Sequence, residues 1–153
     1  MKYMVPGVGA LELNTIIFDL NGTLTVRGEL PHGVSKRLQQ LKNLGFTCVL
    51  FSGDQRGNAQ KLAEELGIDF VSTKDTQAKR EAAQKYDKEH TVAIGNGRID
   101  IGVFENAKVR IGTLQAEGIH IGILPHIDIL VPSIIDALDL LLDPDSLAAT
   151  MRR

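Results

Sequence analysis

Short apolar runs alternate with amphipathic stretches along this chain. The runs hold mostly apolar residues, which is typical of strands buried on both faces of a sheet, and they predict strands at 16–18, 46–51, 68–71, 91–94, 108–111 and 127–131. Between the runs, apolar residues recur at helical spacing and predict helices at 34–44, 59–66 and 132–143. A charged, alanine-containing stretch at 75–86 with modest apolar patterning and a short stretch at 99–107 are also predicted to be helices. Strands that alternate with helices predict an α/β fold, a doubly wound parallel sheet with helices on both faces.

The segments between these elements give weaker signals. Residues 10–13 are apolar enough to lead into or extend the first strand, and residues 26–31 are typical of a small hairpin or flap. Residues 112–126 contain glycine and proline and fit no one element, and residues from 144 onward predict a polar or loosely helical tail. The length of 153 residues predicts a single domain over 1–153, with its core at about 11–143 and a short C-terminal tail.

Polar side chains follow three of the predicted strands. Asp19 comes directly after residues 16–18, and Asn21-Gly22 behind it is a strong turn signal. Ser52-Gly53-Asp54 follows the second strand, and the segment 95–100 follows the strand at 91–94. Because the carboxyl ends of parallel strands lie at one edge of a sheet, where ligands bind in such folds, we expect these three loops to form one site.

The residue types in these loops suit a metal and a phosphate. Asp19 and Asp100 offer two carboxylates, while Asn96 and the loop carbonyls offer neutral oxygen donors, which together suit Mg²⁺. Ser52 offers a hydroxyl beside backbone N–H groups at a helix start, which suits a phosphate oxygen. Simpler interpretations remain open, because Ser52 and Asp54 are also good helix caps and Asp19 could cap a local turn.

Composition and charge exclude several other functions. The formal net charge of −2 gives no basic surface for nucleic acid, and no apolar run is long enough to predict a membrane-spanning helix. The single cysteine, Cys48, lies in an apolar run and is expected to be a buried, inert thiol, which fits a reducing, cytoplasmic compartment. The four histidines lack the spacing of metal ligands, and the chain has no GxxxxGK[ST] phosphate-binding loop.

Four motifs in order carry a resemblance to a known family. They are 19–25 (DLNGTLT), 52–54 (SGD) continuing through Gln55 and Arg56, Lys79, and 95–100 (GNGRID). They resemble the motifs of the haloacid dehalogenase (HAD) superfamily, and the likeness is greatest to the phosphorylation domain of P-type ATPases and their soluble relatives. The resemblance covers about residues 15–142. It implies a three-layer, HAD-like Rossmannoid core, and the short spacing between motifs leaves no room for a cap domain.

The resemblance also implies a mechanism and a set of site residues. Asp19 would be the nucleophile that forms an aspartyl-phosphate, and Lys79, rather than the nearby Lys74, would pair with it. The phosphate would be held by Gly22, Thr23, Ser52, Gly53 and Lys79. Mg²⁺ would be held by Asp19 and the Asn21 backbone carbonyl, with Asn96 and Asp100 completing the metal site directly or through water.

Two departures from the family pattern bear on activity. Most phosphatases of the superfamily carry Asp where this chain has Asn21, and an amide can neither protonate a leaving group nor activate water. Asn96 stands where a metal-binding Asp is usual. We therefore expect a slow, Mg²⁺-dependent phosphohydrolase. A phosphotransferase or long-lived phosphoenzyme switch, and a non-catalytic binding module of the same fold, remain alternatives. An uncapped site implies a phosphorylated small molecule or macromolecule as substrate, or a neighbouring subunit that supplies a lid.

Overall fold

A computed structural model describes residues 1–54 and 56–153, so that Gln55, part of the second motif above, lies outside the described residues. The strands are β1 Lys2–Val5, β2 Gly9–Glu12, β3 Thr15–Asp19, β4 Thr47–Ser52, β5 Asp69–Ser72, β6 Thr91–Gly95, β7 Val109–Thr113 and β8 Ile129–Val131. Strands β3 to β8 form a six-stranded parallel sheet in the order β5-β4-β3-β6-β7-β8. The predicted parallel sheet is therefore confirmed.

The helices lie in two layers, one on each face of the sheet. Their bounds are α1 Val34–Asn43, α2 Asn58–Leu66, α3 Thr76–Ala83, α4 Ile101–Phe104, α5 Ile134–Leu142 and α6 Pro144–Met151. Short 3₁₀ turns occur at Lys88–His90, Arg98–Asp100 and Ile121–His126. Strand β3 shows why the layers form, because Ile16 and Phe18 pack with one apolar cluster and Ile17 with the other. The predicted three-layer architecture is confirmed.

The position of β3 in the sheet determines where a site can form. The chain goes from β3 to β4 on one side and later to β6 on the other side, so β3 lies where the strand order reverses. The register places Asp19 opposite Phe51 and Phe18 opposite Ile94. Ser52 and Gly95 therefore follow at the same edge, the usual place for a ligand in such sheets.

The connection after β3 contains a small flap. Val26 and Glu29 exchange two backbone hydrogen bonds of 2.8 and 3.0 Å across a turn in which Arg27 and Gly28 have positive φ. The hairpin predicted for residues 26–31 is thus confirmed. Apart from this flap, the described connections next to the site hold only helices and short loops, with no cap domain inserted. Within residues 1–54 and 56–153, no helix has the length and apolar character needed to cross a membrane.

The two ends of the chain differ from the predictions. Residues 10–13 do not extend the first strand of the large sheet, because β2 turns back and pairs antiparallel with β1. The segment from Pro144, predicted to be a polar or loosely helical tail, is helix α6, and it packs against β1 instead of extending away as a tail. Asp143 caps α6 and Leu147 is fully buried. The sequence did not reveal this packing, because only one residue of α6 is fully buried. A single buried residue produces no recurring pattern of apolar positions.

Residues 112–126 also form definite structure. Strand β7 continues to Thr113, a loop follows, and Ile121–His126 form a 3₁₀ turn with Ile123 buried under the sheet. The loop at 114–120 forms hydrogen bonds with segments that border the site described below.

We expect Leu147→Ala to lower the free energy of unfolding by about 2–5 kcal/mol, because it leaves a cavity in a fully buried position. Denaturant unfolding monitored by circular dichroism would measure the loss. Leu124→Ala is the control, since Leu124 is 49% exposed and its truncation should change stability little. Equal stabilities of the two variants would mean that α6 is not part of the core.

Candidate active site

A buried ion network lies at the carboxyl edge of the sheet. Asp19 is the last residue of β3, and its Oδ1 accepts a hydrogen bond of 2.6 Å from the Lys79 ammonium. The same ammonium donates to Asp100 Oδ1 at 2.8 Å. The Lys79 side chain is 2% exposed, whereas that of Asp19 is 15% exposed. The Lys79 ammonium is therefore buried below the Asp19 carboxylate, which remains partly accessible to solvent.

Helix α3 brings Lys79, and not Lys74, to this point. The side chain of Asp75 caps the helix by accepting a hydrogen bond from the Ala78 backbone N–H at 2.8 Å. Lys79 then lies one turn in, on the same buried face as Ala82 and Ala83. Lys74 precedes the cap and is exposed at the rim of the cleft. The geometry thus distinguishes two lysines that the sequence alone did not separate.

Asp100 is the fully buried partner of Lys79 in this network. Its Oδ2 accepts hydrogen bonds from the backbone N–H groups of Asn96 at 3.1 Å and Gly97 at 3.0 Å. A Cβ on Gly95 would lie 2.6 Å from this oxygen, so the approach requires glycine. Asp100 is 2% exposed and does not line the cleft. It orients Lys79 and the 95–100 loop, and the direct metal contact suggested by the resemblance is not favoured by this position.

Burial and charge set the ionisation of the network. Burial, followed by the negative charge of Asp100, raises the pKa of Asp19 to about 6 against an opposing effect of Lys79. Burial alone would lower the pKa of Lys79, but Asp100 and Asp19 raise it above its ordinary value. Lys79 therefore stays charged at neutral pH, and Asp19 is ionised there but titrates within reach of physiological pH.

The loop after Asp19 is shaped by internal hydrogen bonds. The Gly22 N–H donates to the Thr25 carbonyl at 2.9 Å, and the Thr23 N–H donates to the Leu20 carbonyl at 3.3 Å. Gly22 and Thr23 are buried and do not line the cleft, whereas Asn21 is exposed and does. The phosphate-binding role predicted for Gly22 and Thr23 stays a prediction that this geometry does not favour, because their N–H groups are already engaged.

Asn96 packs directly against this loop. Gly22 has φ of 73°, and a Cβ there would lie 2.2 Å from Asn96 Nδ2. Asn96 Oδ1 accepts a long hydrogen bond of 3.4 Å from the Thr23 hydroxyl, and its amide donates to the Gly118 carbonyl at 3.2 Å. Asn96 lines the cleft, so its oxygen remains a candidate metal ligand, but its amide also holds three segments together.

Ser52 and Gly53 lie where β4 ends, beside Asp19. The Ser52 hydroxyl is buried and accepts a hydrogen bond from the Asp54 N–H at 3.2 Å, and both Ser52 and Gly53 line the cleft. A Cβ on Gly53 would lie 2.8 Å from the Thr73 carbonyl. Asp54 accepts hydrogen bonds from Arg56 N–H and Ala59 N–H, which makes it the cap of the turn into α2, as its sequence position suggested.

These residues open into one cleft of about 790 Å³. Its floor is formed by predicted residues: Asp19, Asn21, Ser52, Gly53, Lys79 and Asn96. Its walls include Arg56 of the second motif and Lys74, the alternative lysine, together with residues that the sequence did not single out: Leu30 of the flap, Asn58, Leu62 and Ile99. Arg56 and Lys74 are exposed, and no ion pair holds either of them within the described part of the chain.

The oxygen donors that face the cleft suit a hard divalent cation. One of the three candidates is a carboxylate and the other two are neutral. Asp19 supplies a carboxylate, the exposed Asn21 can supply its backbone carbonyl, and Asn96 supplies an amide oxygen. Among residues 1–54 and 56–153, no group of three or more His, Cys, Asp or Glu side chains is placed to hold a metal. Mg²⁺ commonly binds through one or two carboxylates and keeps water and phosphate as its other ligands, so this donor set fits it.

A family model that matches part of the amino-acid sequence identifies the family of this chain. A sequence model of the haloacid dehalogenase-like hydrolases matches residues 26–108, more than half of the chain. The chain belongs to this family of hydrolases, which confirms the resemblance drawn from the four motifs. A soluble P-type ATPase-like phosphatase of Methanocaldococcus jannaschii is 27% identical over 136 residues, which are 86% of this chain and 50% of the relative. This chain thus spans about half the length of that relative.

Solved structures with a similar fold include two sugar-phosphate phosphatases. Cobalt-bound deoxy-D-mannose-octulosonate 8-phosphate phosphatase of Haemophilus influenzae is 14% identical, with a TM-score of 0.73 over 93% of this chain and 94% of that one. The corresponding enzyme of Moraxella catarrhalis, in complex with magnesium, phosphate and KDO, is 17% identical, with a TM-score of 0.70 over 92% and 94% of the two chains. At these identities the likeness establishes the fold.

The raised pKa of Asp19 predicts a specific pH dependence of stability. A carboxyl whose pKa is about 6 in the folded state and 3.8 in the unfolded chain keeps its proton longer when folded. The folded state then binds more protons between these values, so the free energy of unfolding falls as the pH rises from about 4 to about 6. We expect this contribution to be about 3 kcal/mol at most.

The measurement is denaturant unfolding of the wild type and Asp19→Asn in EDTA across pH 3.5–8. Subtracting the two curves removes the opposite contributions of Asp54, Asp87 and Asp143, whose pKa values are lowered. The difference, wild type minus variant, should decrease with rising pH. A difference that increases with pH would mean that Lys79 outweighs burial and the Asp100 charge.

Proposed function

We propose that this protein is a slow, Mg²⁺-dependent phosphohydrolase that works through an aspartyl-phosphate on Asp19. The observation that supports this most is the contact between a buried, charged Lys79 and a carboxylate that faces an open cleft. A buried lysine under a partly exposed carboxylate fixes one oxygen of that carboxylate and neutralises charge brought by a phosphate. A purely structural ion pair would not need to face solvent.

The reaction begins with nucleophilic attack by Asp19. With Oδ1 held by Lys79, the other carboxylate oxygen attacks phosphorus, and the bond from phosphorus to the ester oxygen breaks. The ester oxygen leaves with the electron pair and takes a proton from solvent. Water then attacks the phosphorus of the acyl-phosphate, which releases inorganic phosphate and restores the Asp19 carboxylate. The Ser52 hydroxyl and the Gly53 N–H lie beside Asp19 and would hold the phosphate oxygens throughout.

A bound Mg²⁺ would be held by Asp19, the Asn21 carbonyl and Asn96. When bound, it supplies positive charge against the phosphate oxygens as charge develops on them. Asp100 would act indirectly, by orienting Lys79 and the backbone of residues 96 and 97. The magnesium and phosphate named for the similar Moraxella catarrhalis enzyme support this choice of ion.

Asn21 is the reason to expect slow turnover. It lines the cleft two residues after Asp19, where a general acid and base would be needed, and its amide cannot exchange a proton at neutral pH. General acid–base catalysis is typically worth about 10²–10⁴-fold in rate. The same observation supports a second candidate function, a phosphotransferase or switch in which the phosphoenzyme persists.

The cleft is suited to a phosphorylated substrate whose remainder extends into solvent. Arg56 and Lys74 at the rim would attract anions, and Leu30 and Leu62 offer apolar contacts. No cap covers the described cleft, so either a small phosphoester or a phosphorylated macromolecule could enter. A second copy of the chain could also serve as a lid.

The test is turnover of a generic phosphomonoester with Mg²⁺ by the wild type, Asp19→Asn and Asn21→Asp. We expect Asp19→Asn to abolish hydrolysis, because the nucleophile is lost. Asn21→Asp should raise the rate by about 10²-fold or more, because it restores a group that exchanges protons. An unchanged rate in Asp19→Asn would contradict the proposed nucleophile.

The same variants distinguish the other candidates. An acyl-phosphate that persists in the wild type, and is discharged faster in Asn21→Asp, would indicate the switch. Absence of turnover, of binding to beryllium or aluminium fluoride, and of any Mg²⁺ effect on stability would leave only a binding module.

Asn96→Asp tests the metal site separately. The added carboxylate should lower the Mg²⁺ concentration needed for a given rise in Tm about tenfold or more, since a charge 4 Å away contributes ~4 kcal/mol before desolvation. Without metal, the variant should lose about 1–2 kcal/mol of stability, because an aspartate cannot donate to the Gly118 carbonyl.

Asn106→Asp is the matched control for that experiment. The Asn106 amide also donates to a backbone carbonyl, that of Gly102 at 2.8 Å, but it does not line the cleft. Asn106→Asp should therefore lose similar stability and show no gain in Mg²⁺ affinity. Equal Mg²⁺ responses of the two variants would remove Asn96 from the metal site.

A further inference from the structure

The loop that follows β7 contacts residues 20–25, the segment directly after Asp19, which we call the Asp19 loop. We call residues 113–118 the strap. Within the strap, Thr113 ends β7, and the next two backbone N–H groups, those of Leu114 and Gln115, donate to the carbonyls of Val131 and Pro132 at 3.0 and 2.8 Å. The strap is thereby anchored to the sheet and to the start of α5. The strap also contacts segments that are distant from it in the sequence.

Two strap side chains bind the outward carbonyls of the Asp19 loop. The Thr113 hydroxyl donates to the Gly22 carbonyl at 3.2 Å, and the Gln115 amide donates to the Thr23 carbonyl at 2.6 Å. The N–H groups of Gly22 and Thr23 are used inside the loop itself. The strap therefore donates hydrogen bonds to two loop carbonyls that accept none from the backbone of the loop itself.

The strap also contacts the flap and the 95–100 loop. The Glu117 carboxylate accepts a hydrogen bond from the Arg27 N–H at 3.1 Å, and the Gly118 carbonyl accepts one from the Asn96 amide at 3.2 Å. One short segment thus contacts the Asp19 loop, the flap and the Asn96 side chain. Each of these borders the cleft.

Gln115 adopts a backbone conformation that is unfavourable for its type. Its φ is 48°, in the left-handed region where non-glycine residues other than Asn, Asp and His are uncommon. Such a conformation costs of order 1–3 kcal/mol and persists only where surrounding contacts over-determine it. Here those contacts are the backbone bond to Pro132 and the side-chain bond to Thr23. Glycine would fit the turn better, but it would not provide the amide.

We propose that Gln115 is a positioning residue for the Asp19 site. Its amide fixes the Thr23 carbonyl and so sets the path of the loop that directly follows Asp19 and contains the Asn21 carbonyl. This inference rests on the proposed function, since it assigns the strap a part in the reaction of Asp19. Gln115 lies behind the loop and does not line the cleft, so it acts through the loop and touches no reacting atom.

The test compares Gln115→Met and Gln115→Gly with the wild type. Methionine keeps the length of the side chain and removes the donor, whereas glycine removes the donor and also relieves the positive φ. We expect kcat to fall about tenfold or more in both variants, because misplacing a reacting group by about 1 Å can cost about 10²-fold. KM should change by less than about threefold, because Gln115 does not contact the cleft.

The free energies of unfolding of the two variants distinguish a positioning role of Gln115 from a merely structural one. Gln115→Gly should be at least as stable as Gln115→Met, since it relieves the backbone strain, yet it should be equally slow. A structural role predicts the opposite, with activity following stability. Gln84→Met is the control, because Gln84 is exposed at the C-terminal end of α3 and does not line the cleft, so both kcat and stability should be unchanged.

The outcomes distinguish this inference from the function on which it rests. A wild-type protein without turnover would overturn the proposed function, and the role of Gln115 with it. An active wild type, with kcat in Gln115→Met within twofold of Gln84→Met, would overturn the positioning role alone. Recovery of activity in Gln115→Gly, where strain is relieved and the donor is absent, would also contradict it.

Discussion

The site depends on one ammonium group buried between two carboxylates. Lys79 is 2% exposed, and an unpaired charge in such a place would cost several kcal/mol. The bonds to Asp19 and Asp100 offset that cost only while both partners stay in place. Three elements must therefore keep their positions: the end of β3, helix α3 and the 95–100 loop. Gly102 helps, because a Cβ there would lie 2.8 Å from the Arg80 Cβ where α3 and α4 pack together.

The charge of this network connects the fold to the proposed chemistry. Two carboxylates and one ammonium leave a net charge of −1, and Asp19 is the member that faces the cleft. Burial and Asp100 destabilise its ionised form, which is why its pKa is raised. A divalent cation brought to the cleft would offset this negative charge and so favour the approach of a phosphate. The neutral side chains of Asn21 and Asn96 leave the site with less negative charge than two aspartates would.

The sequence predicted the parts of the site that follow directly from strand ends. Asp19, Ser52 and the 95–100 loop were located because parallel strands place their carboxyl ends at one edge. Lys79 could be chosen over Lys74 only by resemblance, since its burial depends on how α3 docks. The strap was not predicted, because Thr113 and Gln115 act through single hydrogen bonds that leave no periodic pattern. The packing of α6 against β1 was missed for a similar reason, since a single buried leucine produces no hydrophobic periodicity.

The central claim is that Asp19 becomes phosphorylated, and chemical trapping of the acyl-phosphate tests it most directly. The protein would be incubated with a phosphomonoester and Mg²⁺, reduced with borohydride, digested and analysed by mass spectrometry. Reduction converts an aspartyl-phosphate to homoserine, so we predict homoserine at position 19, dependent on substrate. The slow discharge expected from Asn21 should favour its accumulation. Modification at another carboxylate, or unmodified Asp19 in a sample that is turning over substrate, would contradict the account.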